Sequence, residues 1–296
     1  MRTLIEALWR DYQRERASFM RQILLGSLTA VFVCGLLTVV SNVYAAFELK
    51  PLPPAERGSA TGLAEGTAAR DSSTSGMGRA GWLRLRSVQA YGFRPYGLQE
   101  VSFIGASAEI ELHRDLDLSL AYHSLSALSY IEQTYAVSCK WSSGTLRLRP
   151  SLRLGTISLD HSLVDHALIF DITCRAQVLS EVEILLAARN PFALGLVHGG
   201  ERCPVDITAG LRYTVSQRFT FGIEASKQAG FPNSIATGVE MRLVEDIRLR
   251  TGIRSYPKEF CMGLGLRLGP IALDMAASLH LDLGVTHEAG LTYRRE

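Results

Sequence analysis

Residues 262–279 read Met-Gly-Leu-Gly-Leu-Arg-Leu-Gly-Pro-Ile-Ala-Leu-Asp-Met-Ala-Ala-Ser-Leu, and their reading decides the fold. Up to Leu268 the apolar residues occupy even positions: Met262, Leu264, Leu266 and Leu268. After Gly269-Pro270 they occupy odd ones: Ile271, Leu273, Met275, Ala277 and Leu279. Strict alternation marks a strand, because successive side chains of a strand point to opposite faces. A two-residue turn at Gly269-Pro270 pairs Leu268 with Ile271, Leu266 with Leu273 and Leu264 with Met275. Both apolar rows then share one face, with Gly263, Gly265, Arg267, Asp274 and Ser278 on the other. The switch of parity is the one that the turn length demands.

The same agreement recurs upstream with three-residue turns. Val205 to Val215 (odd positions) leads through 216–218 to Phe219, Phe221, Ile223 and Ala225. Ile235, Val239, Met241 and Leu243 lead through 244–246 to Ile247, Leu249 and Ile253, with Glu240 and Arg242 opposite Arg250 and Arg248 on the polar face. Ile104 to Leu112 leads through 113–115 to Leu116, Leu118, Leu120 and Tyr122, and Phe170 to Val178 through 179–181 to Val182, Ile184 and Leu186. A sixth hairpin is expected at Arg149-Pro150-Ser151, between Leu146-x-Leu148 and Leu152-x-Leu154. Tyr135, Val137, Cys139 and Trp141 have the other parity, so this hairpin requires a bulge near Ser142 to Gly144.

These short turns alternate with longer links expected near 124–134, 158–167, 189–204, 227–234, 255–260 and 281–284. Short turns at one end and longer loops at the other are the pattern of an outer-membrane barrel. Six hairpins, a last strand over Val285 to Arg294 and an ascending first strand over Trp82 to Tyr91 make about 14 strands. That even number lets the first and last strands close antiparallel, leaving no edge exposed to hydrocarbon. The fold class is therefore all-β: a single antiparallel up-and-down transmembrane β-barrel following an N-terminal signal segment. A soluble sandwich also alternates, but successive hairpins without Greek-key jumps suit a barrel. Tyr122, Tyr213, Phe219, Phe221 and Tyr293 fall near strand ends on the apolar parity, as an interfacial girdle would.

Composition narrows the function. The 296 residues are 20% charged with a formal net charge of +2, and the mean hydropathy is only +0.11, which excludes a bundle of membrane helices. Residues 1–45 hold five Lys/Arg and three Asp/Glu, so the remainder has 26 of each sign. A neutral chain argues against nucleic acid as a partner. Residues 23–40 are uncharged and follow Arg14, Arg16 and Arg21, which reads as an export signal. Val43-Tyr44-Ala45 offers a cleavage site after Ala45, and an uncleaved anchor is the competing reading. Residues 46–81, rich in Pro, Gly, Ala and Ser, form a flexible arm or a lumen plug, and 82–296 the barrel. Cys139, Cys174, Cys203 and Cys261 permit disulfides without implying them. Cys174 and Cys261 have opposite parity, so no bridge between them is expected.

Residues with catalytic or ligating chemistry have plainer readings here. Gly263-x-Gly265-x-x-x-Gly269 lacks the spacing and the strand-to-helix setting of a dinucleotide loop. Asp160-His161 and Asp165-His166 lack a defined third ligand, so no metal and no cofactor are expected. His123-Ser124 and His280 are the candidates for a hydrolase, but no nucleophile signature accompanies them, and the chain is read as a non-enzyme.

The export signal, the Gly/Ala-rich segment after it, Gly265-Leu-Arg-Leu-Gly-Pro-Ile-Ala-Leu-Asp274 and Leu283-Gly-Val-Thr-His-Glu-Ala-Gly-Leu-Thr-Tyr293 together resemble PorV/PorQ-type outer-membrane proteins. Those are similar in turn to the FadL-type long-chain fatty-acid transporters. The close resemblance covers roughly the last 90 residues. It implies a fourteen-stranded barrel, an amino-terminal segment entering the lumen, and either passage of hydrophobic substrates or a role in protein export and surface attachment. The chain lacks the family's Asn-Pro-Ala-Gly-type stretch and ends Arg-Arg-Glu instead of on an aromatic residue. Residues 288–293 resemble in part the insertion signal read by the barrel-assembly machinery.

The expected lumen-lining set is Arg147, Arg153, Arg175, Arg212, Glu224, Glu240, Arg242, Arg248, Arg250, Arg267 and Asp274. The arginines could favour anions or carboxylates passing inward. The preferred reading is structural: ladders with Glu109, Asp117, Glu224, Glu240 and Asp274. The expected lipid-facing set is Leu211, Tyr213, Phe221, Ile223, Leu264, Leu266, Leu268, Ile271, Leu273, Met275, Leu291 and Tyr293. The partners implied are outer-membrane lipids, the barrel-assembly machinery, and hydrophobic small molecules or secretion-system components. Outer-membrane localisation follows. The alternative is a periplasmic β-sheet protein held by an N-terminal helix.

Overall fold

A computed structural model describes Ser59 and residues 84–160, 162–197 and 202–295. The leader (1–45), most of the arm, Trp82 and His161 lie outside the described residues. No helix among the described residues is long and apolar enough to cross a membrane.

Fourteen antiparallel strands form one closed barrel in which each strand pairs with its neighbours in sequence and β1 pairs with β14. The first half comprises β1 (Arg84–Arg94), β2 (Val101–His113), β3 (Leu116–Ala127), β4 (Tyr130–Ser143), β5 (Leu146–Leu159), β6 (Ser162–Gln177) and β7 (Val182–Arg189). The second comprises β8 (Asp206–Thr214), β9 (Phe219–Gln228), β10 (Ser234–Val244), β11 (Ile247–Arg254), β12 (Glu259–Leu268), β13 (Ile271–His280) and β14 (Gly284–Arg294).

The Gly269-Pro270 hairpin has the register that its sequence demands, with Leu268 opposite Ile271, Leu266 opposite Leu273 and Leu264 opposite Met275. Gly269 takes the left-handed conformation (φ 59°), which a residue without a Cβ adopts freely. The ring closes through Val88 opposite Tyr293 and Ala90 opposite Leu291.

One parity of side chains points outward and remains open although apolar: Leu268 is 76% exposed, Ile253 57% and Leu291 52%. The other parity points inward and carries buried charge, Asp274 at 1% and Arg250 at 3%. That inversion of the soluble-protein rule suits a sheet whose outer solvent is hydrocarbon. It also excludes two stacked layers with the apolar rows packed between them.

Three expectations are corrected. The hairpin at Arg149-Pro150-Ser151 does not exist, because Leu146–Leu159 is one continuous strand and the turn lies at Gly144-Thr145. No bulge is needed at Ser142 to Gly144. The two-residue turn itself switches the parity, and the register is constant from Ser138 opposite Ser151 to Trp141 opposite Leu148. Pro150 only interrupts the ladder to β4, since it has no N–H to donate.

The long links expected at 124–134 and 158–167 are also absent. Ala127 pairs with Tyr130, leaving a two-residue turn at 128–129, and Leu159 pairs with Ser162. The polar residues there suggested loop, yet they belong to strands that continue past the barrel's general height. The third correction is to strand length, since the alternating runs predict about ten residues for each strand. Strands β7 to β14 have 8 to 11 residues, about what a tilted membrane strand needs, whereas β3 to β6 have 12 to 16.

Only Asp171–Gln177 of β6 pairs with β7. The first nine residues of β6 therefore stand above the end of β7 with an open edge, which unpaired backbone groups make costly unless covered. The β7–β8 loop covers it. Asn190 N donates to Phe170 O (2.8 Å) and Val197 N to His166 O (3.0 Å). Leu196 and Cys203 pack on Ile157, Ala167 and Ile169, all of inward parity, so this loop folds into the barrel mouth.

Candidate functional site: the lumen

Asn190 anchors that loop. It is fully buried at φ 49°. Its Nδ2 donates to Leu194 O (2.9 Å) and Cys203 O (2.8 Å), and its Oδ1 accepts from Leu194 N (3.0 Å). A short amide side chain tolerates this backbone and supplies both donor and acceptor. Burial pushes the Cys203 thiol up to about 11, so it remains neutral at physiological pH. Cys139, Cys174, Cys203 and Cys261 are all free thiols.

The lumen differs from end to end. Toward the short turns its wall carries ion pairs between nearby strands. Arg86 (2.7 Å) and Lys140 (2.5 Å) meet Asp117, and Lys140 (2.7 Å) and Arg149 (3.5 Å) meet Glu109. Arg147 and Arg175 (3.3 Å) share Glu183. On the opposite wall Arg248 (3.3 Å) and Arg250 (2.7 Å) share Glu240, and Arg250 also holds Asp274 (2.8 Å). Nearer the mouth Arg153 makes a two-pronged contact with Asp171 (2.5 and 2.9 Å). Arg267 Nε donates to Gly269 O at 3.4 Å. Arg212 and the buried Glu224 occupy inward positions and are also engaged, while Arg242 sits near the β10–β11 turn. Glu183, Asp171 and Glu259, the last paired with Arg254 at 3.4 Å, are carboxylates that the sequence reading did not bring into the ladders.

At the loop end the inner wall is aromatic. Phe93 stacks on Phe103 with centroids 4.7 Å apart, Tyr91 lies 6.2 Å from Phe103, and His123 stacks on Phe103 at 6.0 Å, with Leu125 packed alongside. Sequence parity concealed this patch. A register shift between Leu85 and Ser87 turns Tyr91 and Phe93 inward, although Tyr91 shares the odd numbering of outward Leu85. Gly105 and Gly290 flank Tyr91 across the ladder, which leaves its ring room to lie along the wall.

Other candidates separate. His123 and Ser124 are consecutive in β3 and face opposite sides, so they cannot act as a pair. His280 Nδ1 accepts from Asp282 N and Leu283 N, both at 3.1 Å, and so holds the β13–β14 turn. No group of three potential metal ligands occurs among the described residues. Leu211, Tyr213, Phe221 and Ile223 line a depression of about 510 Å³ on the outer face, over Gly222, Gly238 and Gly252. Leu264, Leu266, Leu268, Ile271, Leu273, Met275, Leu291 and Tyr293 share that face on β12 to β14. On the inner side of the same glycines, the Ser59 carbonyl occupies the space that a Cβ on Gly238 would need, and Ser59 is 3% exposed.

No family model and no curated protein matches the chain. Solved structures do. The toluene transporter TbuX of Ralstonia pickettii aligns at a TM-score of 0.59 and 10% identity, over 85% of this chain and 100% of that one. The KdgM porin in complex with disordered oligogalacturonate aligns at 0.43 and 11%, over 71% and 99%. A Rhodopseudomonas blastica porin triple mutant aligns at 0.42 and 9%, over 72% and 100%. The likeness to TbuX is one of fold.

Proposed function

We propose that this chain is an outer-membrane barrel that passes small hydrophobic or amphipathic solutes through its lumen. The observation that carries the reading is the division of that lumen: aromatic rings at the mouth, then a zone of fixed charge. A solute with an apolar body finds a desolvated surface at the entrance, and the ladder beyond it discriminates by charge. Ser59 against Gly238 supports a second element. The arm before the barrel enters the lumen as a plug, and Gly238 is the notch that admits its backbone. The lipids of the outer membrane surround the apolar outer rows, and the barrel-assembly machinery inserts the chain.

A role beside an export system, as PorV/PorQ-type proteins have, is the second reading. The tall wall favours it, since Leu128 is 84% exposed at its tip and Leu159 47%. The experiment is uptake of toluene into liposomes by the full chain and by a chain lacking residues 46–81. Uptake that rises on deletion supports a plugged path. No uptake by either chain overturns the transport reading and leaves the export role.

A further inference from the structure

The outer face of the barrel is not evenly covered. Along β10 the outward side chains Thr237 and Val239 are short, and they stand between longer ones in the ladder. Thr237 lies between Ile223 of β9 and Ile253 of β11, and Val239 between Phe221 and Thr251. Leu211 and Tyr213 of β8 extend the β9 side. The result is the depression of about 510 Å³ on that face, a furrow floored by Thr237, Val239 and Thr251. Thr251 Oγ1 donates to Cys261 O (3.2 Å), which satisfies its hydroxyl within the wall. A hollow with apolar walls on a face turned to hydrocarbon holds no water, and left unfilled it forfeits dispersion contacts along its lining.

One end of the furrow leads to charge. Phe221 is three residues from Arg218 of the β8–β9 turn, about 10 Å along the strand. Arg218 is exposed, and its carbonyl accepts from Arg242 N (2.8 Å), which sets this turn beside the end of β10. The β10–β11 turn that follows carries exposed Glu245 and Asp246. On the other flank Thr214 N donates to Glu181 O (2.8 Å), which brings the exposed Glu181 of the β6–β7 turn alongside. Arg218 is thus one cation among three acids, at the short-turn end that meets the headgroups of the inner leaflet. No ion pair joins it to them among the described residues.

We propose that this place binds one zwitterionic aminophospholipid of that leaflet, with an acyl chain in the furrow, its phosphate on Arg218 and its ammonium toward Glu245 and Asp246. The furrow is continuous with the rows that face lipid, so a lipid chain is what fills it. The charges choose the head. An anionic lipid would meet three carboxylates for one guanidinium, and the cluster of basic residues that recognises such lipids is absent from these turns. A zwitterion meets both signs, phosphate nearest the glycerol and amine beyond it. The inference rests on the outer face meeting hydrocarbon and not on passage through the lumen.

The test is native mass spectrometry of the full chain, stripped of lipid in detergent and then given dioleoylphosphatidylethanolamine, dioleoylphosphatidylglycerol or dioleoylglycerol. Heat-modifiable migration on gels verifies the fold of each variant. The ratio of lipid-bound to bare chain is expected to be about fivefold higher for the phosphatidylethanolamine than for either other lipid, the scale of an exposed charge contact. Arg218→Gln should remove the advantage over dioleoylglycerol. Glu181→Gln, Glu245→Gln and Asp246→Asn together should remove the advantage over phosphatidylglycerol. Thr237→Phe fills the furrow and should lower retention of all three lipids by about tenfold, whereas Leu118→Phe on the outer face of β3 should leave it unchanged. Equal retention of the three lipids, a preference for phosphatidylglycerol, or an unaltered Thr237→Phe each overturns the proposal. So does a lipid-free dimer that Thr237→Phe abolishes, which would give the furrow to a second copy. Selective retention without toluene uptake keeps this site and removes the transport reading. Uptake by a chain that retains no lipid does the reverse.

Discussion

The ring of Tyr91 lies over Gly105, its partner on β2, with Cζ 2.5 Å from where a Cβ on that glycine would stand. The aromatic wall therefore depends on an absent side chain. Gly105→Ala is expected to swing the ring into the lumen at a cost of about 1 kcal/mol, because only the far end of one side chain has to move. Thermal unfolding would show the small loss, and toluene uptake into liposomes a larger reduction than the stability change explains.

Gly238→Leu should expel the arm from its notch while the barrel remains closed. Planar-bilayer conductance would rise relative to the parent, and trypsin would cut at Arg57 in the folded variant. A conductance equal to the parent's would place the plug elsewhere.

Asp274 and Arg250 form a deeply buried ion pair of the lumen, with side chains 2% and 0% exposed. Asp274→Ala should destabilise the barrel by about 3–5 kcal/mol, most of it from stranding the guanidinium. Adding Arg250→Met should recover part of the loss in urea unfolding. No recovery would mean that the remaining Glu240–Arg248 contact cannot stand alone.

Asn190→Ala removes three hydrogen bonds of the β7–β8 loop and should free Cys203. A maleimide at pH 8 would label the parent slowly, since the thiol is covered and largely neutral, and the variant several-fold faster. Because the folded-state pKa is raised above the usual thiol value of 9.0 to about 11, this group's contribution to stability is complete below pH 9. It declines as pH rises from there toward 11. The parent should lose that increment in alkaline unfolding curves, and the Asn190→Ala variant should lose less.

Much of the fold was legible because a membrane barrel repeats one signal many times. Residues 262–279 needed only parity and a turn, and four of the five other expected short turns followed the same logic. Arg149-Pro150-Ser151 misled for a physical reason. Proline is a turn residue in most settings, but here it sits within β5, where only the ladder to β4 loses a donor. The polar stretches around 128 and 160 look like loops to any rule based on hydropathy, whereas strands rising above the membrane have no need of an apolar face. Of the site, the arginine rows could be read from alternation. The aromatic patch could not, since a single bulge after Leu85 moves Tyr91 across the wall. Nor does alternation say which carboxylate each arginine meets, because Arg153 and Arg189 both face Asp171 only once β5, β6 and β7 are side by side.

The unequal strand lengths give the mouth a sloping rim, high along β3 to β6 and low along β8 to β14. A molecule arriving along the plane of the membrane surface meets a parapet from one quarter and an open sill from the other. Rotation of the barrel about its own axis therefore matters to whatever surrounds it. Neighbours crowded against the low side would obstruct entry, and those against the high side would not.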